Sequence, residues 1–140
     1  LFLIIIFTCI FTDIGGYIFG KFFKGPKLTK ISPNKTYSGM IGGYLLSLFL
    51  VKILFNFSYL IYENSIVFNY KTLIIVFLIS TVSQIGDIVI SYFKRKSKIK
   101  DTGNIIPGHG GILDRIDGMV FAFSFSYLIF SYKIIIWLKK

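Results

Sequence analysis

Four long apolar runs dominate the chain and are separated by three more polar connections. An α-helix needs about 20 largely apolar residues to cross the hydrocarbon of a bilayer, and each run approaches that length. The pattern therefore predicts four crossings, at about 1–19, 40–59, 72–92 and 118–138. The predicted fold class is all-α: a polytopic helical membrane protein, with these crossings forming a single membrane domain.

The start of the chain lies within an apolar run. It has no initiator Met and no basic leader, so it does not resemble a signal peptide. We therefore expect the natural chain to extend upstream, with the first crossing truncated and this sequence forming the C-terminal part.

The connections differ in charge. The first, at about 20–39, carries five lysines and no acid, and the third, at about 93–117, is also rich in Lys and Arg. The middle connection contains only Glu63 and Lys71 as charged residues. Because Lys and Arg accumulate in cytoplasmic loops, the first and third connections are predicted to face the cytoplasm.

The composition agrees with a membrane protein. Apolar residues make up 54% of the chain, charged residues 16%, and the mean hydropathy is +0.73. Soluble domains are about 45–50% apolar and about 25% charged. The single cysteine, Cys9, excludes a disulfide scaffold, and the high hydrophobicity excludes intrinsic disorder. In this setting the net charge of +10 primarily indicates topology.

The chain has only six acidic residues, and their positions are informative. Asp13 and Asp87 lie within apolar segments, each about two helical turns before a basic connection. An ionised carboxylate in hydrocarbon is costly unless it is paired, hydrated or bound to a cation. Each of these aspartates is therefore either a functional group or a structural polar contact between helices.

A second group of acids lies near the fourth apolar run. Asp114 and Asp117 are three residues apart, so they would share one face of a helix that began there. With Asp101 they would form an acidic cluster beside many cations. Oxygen ligands of this kind suit Mg²⁺, whereas one His and one Cys far apart cannot supply a zinc site.

The segment from Pro107 to Gly111 is rich in glycine and is flanked by Lys and Arg. Such a loop lets backbone N–H groups approach phosphate oxygens, although many glycine-rich turns are plain connectors. Glycines, cations and unpaired aspartates at one membrane face are together what a polyphosphate and its metal ion need.

Several stretches resemble the phosphatidate cytidylyltransferases, also called CDP-diacylglycerol synthases. The family signature is matched by SYFKR at 91–95, KDTG at 100–103 and PGHGGILDRID at 107–117. Further matches are DIGGYIFGK at 13–21, ISPNKTYSG at 31–39 and QIGD at 84–87. The chain departs from the family at Ser38, where many members carry a carboxylate, and at Ile14, where a hydroxyl residue is common.

The resemblance implies a nucleotidyltransferase of phospholipid biosynthesis. Its reaction would convert CTP and phosphatidic acid into CDP-diacylglycerol and pyrophosphate, with Mg²⁺ as cofactor. It also implies a multi-pass protein of a bacterial inner membrane, with the lipid bilayer as its surroundings and a homodimer as its assembly. The site would face the cytoplasm at the level of the lipid headgroups and open sideways to the lipid.

The resemblance also implies roles for individual residues. The expected metal ligands are Asp87, Asp114 and Asp117, with Asp101 as a further catalytic acid. The cations expected to contact phosphates are Lys94, Arg95, Lys100 and Arg115. The loop under the triphosphate would be formed by Gly108, Gly110 and Gly111, where His109 bonds either a phosphate or the loop itself. A second phosphate-facing patch would be formed by Ser32, Lys35 and Thr36.

The remaining conspicuous residues receive simpler interpretations. Lys21, Lys24, Lys27 and Lys30 are interpreted as topology signals and contacts to anionic lipid. Tyr17 is interpreted as part of an interfacial aromatic belt rather than as a site for cytosine.

Three other functions compete with this interpretation. A transporter would use Asp13 and Asp87 as relay carboxylates near the bilayer midplane. A CDP-alcohol phosphotransferase needs further aspartates spaced by four, and none follows Asp117-Gly118. A nucleic-acid anchor would lack acids in its basic loops and would interleave them with aromatic residues, so we expect no nucleic-acid partner.

Overall fold

The computed structural model describes residues 2–29, 32, 34–61, 69–99 and 113–131. These residues contain four α-helices: α1 (Phe2–Phe23), α2 (Tyr37–Ile61), α3 (Tyr70–Lys96) and α4 (Leu113–Ser131). Within these ranges, the only extended pairing is an isolated bridge between Lys27 and Thr36. The predicted all-α fold class is confirmed.

Three of the helices are long and apolar enough to cross a bilayer. Their apolar stretches are Phe2–Phe23, Tyr37–Phe57 and Tyr70–Lys96, and α4 contributes a shorter stretch, Ile116–Ile129. A helix suits this solvent because it bonds its backbone N–H and C=O groups within itself. The chain is therefore a polytopic helical membrane protein.

The helices extend beyond the apolar runs. α1 continues to Phe23 and α2 begins at Tyr37, so the connection between them is shorter than the predicted loop at 20–39. Likewise α3 continues to Lys96, and α4 begins at Leu113 rather than at 118. Hydropathy marks where apolar surface ends, whereas a helix continues while its backbone is bonded and capped. The predicted end of the fourth crossing, at 138, lies outside the described residues.

The connection between α1 and α2 folds back on itself. Besides the bridge between Lys27 and Thr36, the Leu28 N–H donates to the Lys35 carbonyl at 2.7 Å. The Thr36 hydroxyl accepts the Gly39 N–H at 3.1 Å, which caps the start of α2. These bonds fix Lys35 and Thr36 at the N-terminus of α2.

Glycines let α1 and α2 approach closely. A Cβ on Gly15 would lie 2.6 Å from the Gly42 carbonyl oxygen, and one on Gly39 would lie 2.6 Å from the Gly16 carbonyl oxygen. Small residues at membrane helix interfaces permit this close backbone packing. In the described part of the chain, these two helices share the most extensive contact.

α3 and α4 also meet at glycines. A Cβ on Gly86 would lie 2.7 Å from the Phe121 ring, and one on Gly118 would lie 2.7 Å from the Ser83 hydroxyl. The helices can approach this closely only because neither position carries a side chain.

Apolar side chains pack at the opposite end of the bundle. One cluster joins α1, α3 and α4 through Ile5, Cys9, Ile79 and Ala122. A second cluster joins α2 and α3 through Val51, Phe55 and Val76. We call the part of the bundle that holds these clusters the apolar half. The part that holds the α1–α2 connection, the end of α3 and the start of α4 is the polar half.

Candidate functional site

A cavity of about 330 Å³ opens in the polar half and is lined by all four helices and the α1–α2 connection. Its ionisable lining side chains are Asp13, Tyr17, Lys35, Asp87 and Asp117. Three of these five residues, Lys35, Asp87 and Asp117, were predicted from the sequence as site residues. The fold therefore gathers residues that are far apart in the chain around one space.

Asp87 forms an ion pair with Lys35. The aspartate lies on α3 and the lysine on the α1–α2 connection, and the Lys35 ammonium contacts one carboxylate oxygen directly. The two side chains are 25% and 29% exposed, for lysine and aspartate respectively. The pair therefore closes one side of the cavity while both groups remain accessible from it.

Asp117 is more enclosed than Asp87 and is 8% exposed. One of its oxygens accepts the Gly118 N–H at 2.8 Å, and the other lies 3.9 Å from the Lys94 ammonium nitrogen. Lys94 follows Asp87 by seven residues on α3, which places both on the same helix face. One face of α3 thus provides an acid to the cavity and a cation to Asp117.

The Asp87 and Asp117 carboxylates both line the cavity and repel each other electrostatically. Gly86 precedes Asp87 and Gly118 follows Asp117, so the close glycine contacts between α3 and α4 bring the two acids together. Asp13 on α1 lies within electrostatic range of Asp87. Three helices therefore direct acids toward one region.

The charges of these described side chains do not balance. Three carboxylates, Asp13, Asp87 and Asp117, face two ammonium groups, Lys35 and Lys94, which leaves one negative charge in excess. Adjacent carboxylates repel each other, so a cation between them would be stabilised. The N-terminus of α2 also lines the cavity, and its helix dipole favours an anion although the N–H groups of Tyr37, Gly39 and Met40 are bonded within the protein. The cavity therefore suits a metal cation together with a phosphate.

The carboxylate pair fits Mg²⁺. This ion usually binds through one or two carboxylates and completes its shell with water and substrate phosphates. Within the described side chains, no three His, Cys, Asp or Glu groups converge as a complete metal site. Asp87 and Asp117 supply the two-carboxylate arrangement. Asp114, the third predicted ligand, lies in the first turn of α4, and its side chain lies outside the described part.

Other predicted residues do not line the cavity or lie outside the described structure. The Ser32 carbonyl accepts the Lys35 N–H at 3.0 Å, and Arg95 is exposed; neither residue lines the cavity. Thr36 does line it. The predicted residues outside the described part are Lys100, Asp101, Gly108, His109, Gly110 and Gly111, together with the Arg115 side chain. Their roles stay predictions.

Three uncharged polar residues of the cavity, Thr12, Asn34 and Gln84, were not predicted as site residues. The Thr12 hydroxyl lies 2.8 Å from the Ser80 hydroxyl, and the Gln84 amide nitrogen lies 3.5 Å from the same oxygen. Thr12 and Gln84 both line the cavity. Helical spacing was the available signal, because Gln84 precedes Asp87 by three residues and so shares its face.

Comparison with known proteins gives a consistent result. Residues 1–133 match the model of a family described as the cytidylyltransferase family. A phosphatidate cytidylyltransferase of Rickettsia bellii is 47% identical over 125 residues, which are 84% of this chain and 53% of the relative. One of Bacillus subtilis is 44% identical over 121 residues, 86% of this chain and 43% of the relative.

A phosphatidate cytidylyltransferase of Rickettsia conorii is 42% identical over 123 residues, covering 84% of this chain and 53% of the relative. The chain thus spans about half the length of the curated relatives it matches. The family match includes all four helices and every residue that lines the cavity.

Proposed function

This chain belongs to the cytidylyltransferase family, and on that premise we propose that it acts in the transfer of a cytidylyl group from CTP to phosphatidic acid. The products are CDP-diacylglycerol and pyrophosphate. The observation that carries the proposal is the meeting of Asp87, Asp117 and Lys35 at one cavity of a membrane protein, with Lys94 beside Asp117.

The reaction joins two polyanions. An oxygen of the lipid phosphate attacks the α-phosphorus of CTP and forms a new P–O bond. The bond from that phosphorus to the oxygen bridging the α- and β-phosphates breaks, and pyrophosphate leaves with the electron pair. Since the attacking phosphate is already ionised near neutral pH, no strong base is needed. The main barrier is electrostatic repulsion, which fixed cations and dipoles reduce.

Two lysines next to the carboxylates are suited to that task, one lining the cavity and one beside Asp117. Lys35 contacts Asp87 and Lys94 lies near Asp117, so both ammonium groups are held beside the carboxylates. A cation bound by the carboxylates would free the lysines to donate to phosphate oxygens. The Thr36 hydroxyl lies at the same wall, where the positive end of the α2 dipole also favours an anion.

Asp87 and Asp117 would hold Mg²⁺, with Asp114 as the further ligand that the sequence predicts. When bound there, the ion would neutralise charge on the attacking and leaving oxygens. The proposal also includes the roles that the sequence predicts for further residues. These are phosphate contacts for Arg95, Lys100 and Arg115, an acid role for Asp101, and loop roles for Gly108, His109, Gly110 and Gly111.

The proposed location is the inner membrane of a bacterial cell, with the cavity facing the cytoplasm. The basic residues of the first and third connections favour this orientation, because Lys and Arg accumulate on the cytoplasmic side. CTP is soluble in water, so a cavity at this face is open to the nucleotide.

The alternative function of a transporter lacks support. Asp13 and Asp87 do not form an isolated relay, because both line the cavity that also contains Lys35 and Asp117. The named relatives are transferases as well.

A radiochemical assay tests the proposal. Membranes that contain the product of the full open reading frame are incubated with CTP labelled in the cytosine ring, with and without phosphatidic acid and Mg²⁺. We expect label in the lipid extract only when both are present. The absence of labelled lipid under all conditions would refute the proposed function.

A further inference from the structure

Three residues of α1 recur every four positions on one helix face: Asp13, Tyr17 and Lys21. The first two line the cavity. The Lys21 ammonium lies 3.4 Å from the Tyr17 hydroxyl and 5.5 Å from the centre of its ring. A phenol and an ammonium group therefore stand side by side at the edge of the cavity.

A second stripe runs directly beside the first. Ile14, Ile18 and Phe22 recur at the same spacing and are 43%, 48% and 81% exposed. On a membrane-spanning helix, apolar side chains with this exposure contact the lipid. The edge of the cavity at α1 is thus a boundary between polar donors and a lipid-facing surface.

The chemistry of this boundary fits an amphiphile with a phosphate headgroup. The Lys21 ammonium and the Tyr17 hydroxyl both donate hydrogen bonds, and a phosphate monoester has several acceptor oxygens. The neighbouring apolar stripe offers a surface for acyl chains. Neither stripe alone would recognise a phospholipid, but together they match its phosphate headgroup and its acyl chains.

Tyr17 also lies close to the acidic residues of the cavity. Tyr17 is one helical turn, or about 6 Å along the axis, from Asp13. Asp13 in turn lies within electrostatic range of Asp87. A phosphate held by Tyr17 would therefore stand close to the carboxylate pair. Lys94 lies on α3 beside Asp117, so a phosphate bound by Lys94 would be a different one from a phosphate bound at the α1 wall.

We propose that Tyr17 and Lys21 bind the phosphate monoester of the lipid substrate, with its acyl chains along Ile14, Ile18 and Phe22. This inference rests on the proposed function and assigns the lipid to the α1 wall of the cavity. It gives Tyr17 and Lys21 specific roles in place of the aromatic-belt and topology roles interpreted from the sequence.

The test measures two Michaelis constants on the product of the full open reading frame in mixed detergent micelles. Phosphatidic acid is varied as a mole fraction at saturating CTP, and CTP is varied at saturating lipid. For Lys21→Gln we expect the KM for phosphatidic acid to rise about tenfold, as expected for the loss of a charged hydrogen bond. For Tyr17→Phe, which keeps the ring, we expect a smaller rise in the same constant. The KM for CTP should stay unchanged in both variants.

Lys24→Gln is the matched control. Lys24 is an exposed lysine just after α1 and, like Lys21, does not line the cavity; its loss removes the same charge three residues away but leaves the Tyr17–Lys21 pair intact. Both constants should stay at their wild-type values. An equal effect of Lys24→Gln and Lys21→Gln would indicate general attraction of anionic lipid and overturn the inference.

The remaining outcomes are also decisive. A rise in the KM for CTP rather than for lipid would assign the pair to the triphosphate, and unchanged constants would exclude any substrate contact; either result overturns the inference and leaves the proposed function intact. A wild-type protein that makes no labelled lipid would instead refute the proposed function and this inference with it.

Discussion

The two halves of the helix bundle use the same four helices for opposite purposes. In the apolar half, side chains such as Ile79 and Val51 fill the space between helices and are almost completely buried. In the polar half, glycines such as Gly15 and Gly118 bring backbones together, and charged groups surround a cavity. Packing and chemistry are therefore separated along the helix axes, so substitutions should affect stability and activity independently.

The largest expected effect is the loss of activity when one acid of the polar half is neutralised. Asp117→Asn, or Asp87→Asn, should lower cytidylyl transfer by at least about a hundredfold, since it weakens binding of the Mg²⁺ that would neutralise charge in the transition state. The sequence makes the same prediction for Asp114→Asn. Initial rates of lipid labelling at equal protein concentration measure the effect.

The same substitutions should change the free energy of unfolding much less than they change activity. Because Asp87 repels Asp117 and the Lys94 ammonium lies 3.9 Å away, Asp117→Asn should leave the free energy of unfolding unchanged or raise it, whereas Asp87→Asn breaks the ion pair with Lys35 and should lower it slightly. SDS titration of the purified protein measures that quantity. The control is Glu63→Gln in the connection predicted to face outward, which should retain activity. Wild-type turnover by Asp117→Asn would contradict the assigned role of the acid.

A substitution in the apolar half should have the converse effect. Ile79 is 1% exposed and packs with Cys9 and Ala122, so Ile79→Ala leaves a cavity among them. We expect a loss of about 2 kcal/mol in the free energy of unfolding, at the low end of the range for buried isoleucine. The specific activity of the folded fraction should be unaffected, because the site is distant.

The same helix offers a control for Ile79→Ala. Ile85 also lies on α3 but is 53% exposed, so Ile85→Ala removes a side chain that few protein atoms contact. Its SDS unfolding midpoint should stay close to that of the wild type. Equal destabilisation by the two variants would show that burial in the apolar half does not determine stability.

Neighbouring glycines test the close approach of α1 and α2. A Cβ at Gly15 would lie 2.6 Å from the Gly42 carbonyl oxygen, whereas a Cβ at Gly16 would meet nothing nearer than 3.7 Å. Gly15→Ala should therefore cost about 1.5 kcal/mol of stability, and Gly16→Ala less than about 0.5 kcal/mol. Thermal unfolding in detergent compares the two. Equal unfolding temperatures would argue against the observed helix contact.

The smallest expected effect concerns the hydrogen bond between the Thr12 and Ser80 hydroxyls. Thr12→Val removes the hydrogen bond between Thr12 and Ser80, which joins α1 to α3 at 2.8 Å. Hydrogen bonds between membrane helices contribute about 0.6 kcal/mol on average, and we expect a loss of that size in the free energy of unfolding. Thr8→Val is the matched control, because the buried Thr8 hydroxyl bonds the Ile4 carbonyl of its own helix rather than α3, and it should cost less. Equal losses for Thr8→Val and Thr12→Val would show that the bond to Ser80 contributes nothing.

The fold was largely predictable from the sequence because the bilayer imposes a length on each apolar run. The starts and ends of the helices were not. α4 begins at Leu113, before its apolar run, because backbone hydrogen bonds continue through polar residues. The cap at Thr36 depends on its own hydroxyl and lies outside any hydrophobic pattern.

The site was predictable where its residues are rare. Asp87 and Asp117 stand out because acids are scarce in this chain. Lys35 is one of many lysines and was predicted only through the family resemblance, as a phosphate contact. Its pairing with Asp87 depends on the folded connection between α1 and α2. Thr12 and Gln84 were missed because a single uncharged polar residue is common in an apolar run, and only the assembled bundle brings both to the cavity.

Transfer of a cytidylyl group to a lipid phosphate is the activity proposed for the polar half. CTP labelled with ³²P at either the α- or the γ-phosphate distinguishes this transfer from others by where each label goes. We expect α-label in the extracted lipid and γ-label in free pyrophosphate. Appearance of γ-label in the lipid would mean phosphoryl rather than cytidylyl transfer and would contradict the proposal, as would absence of both labels from these products.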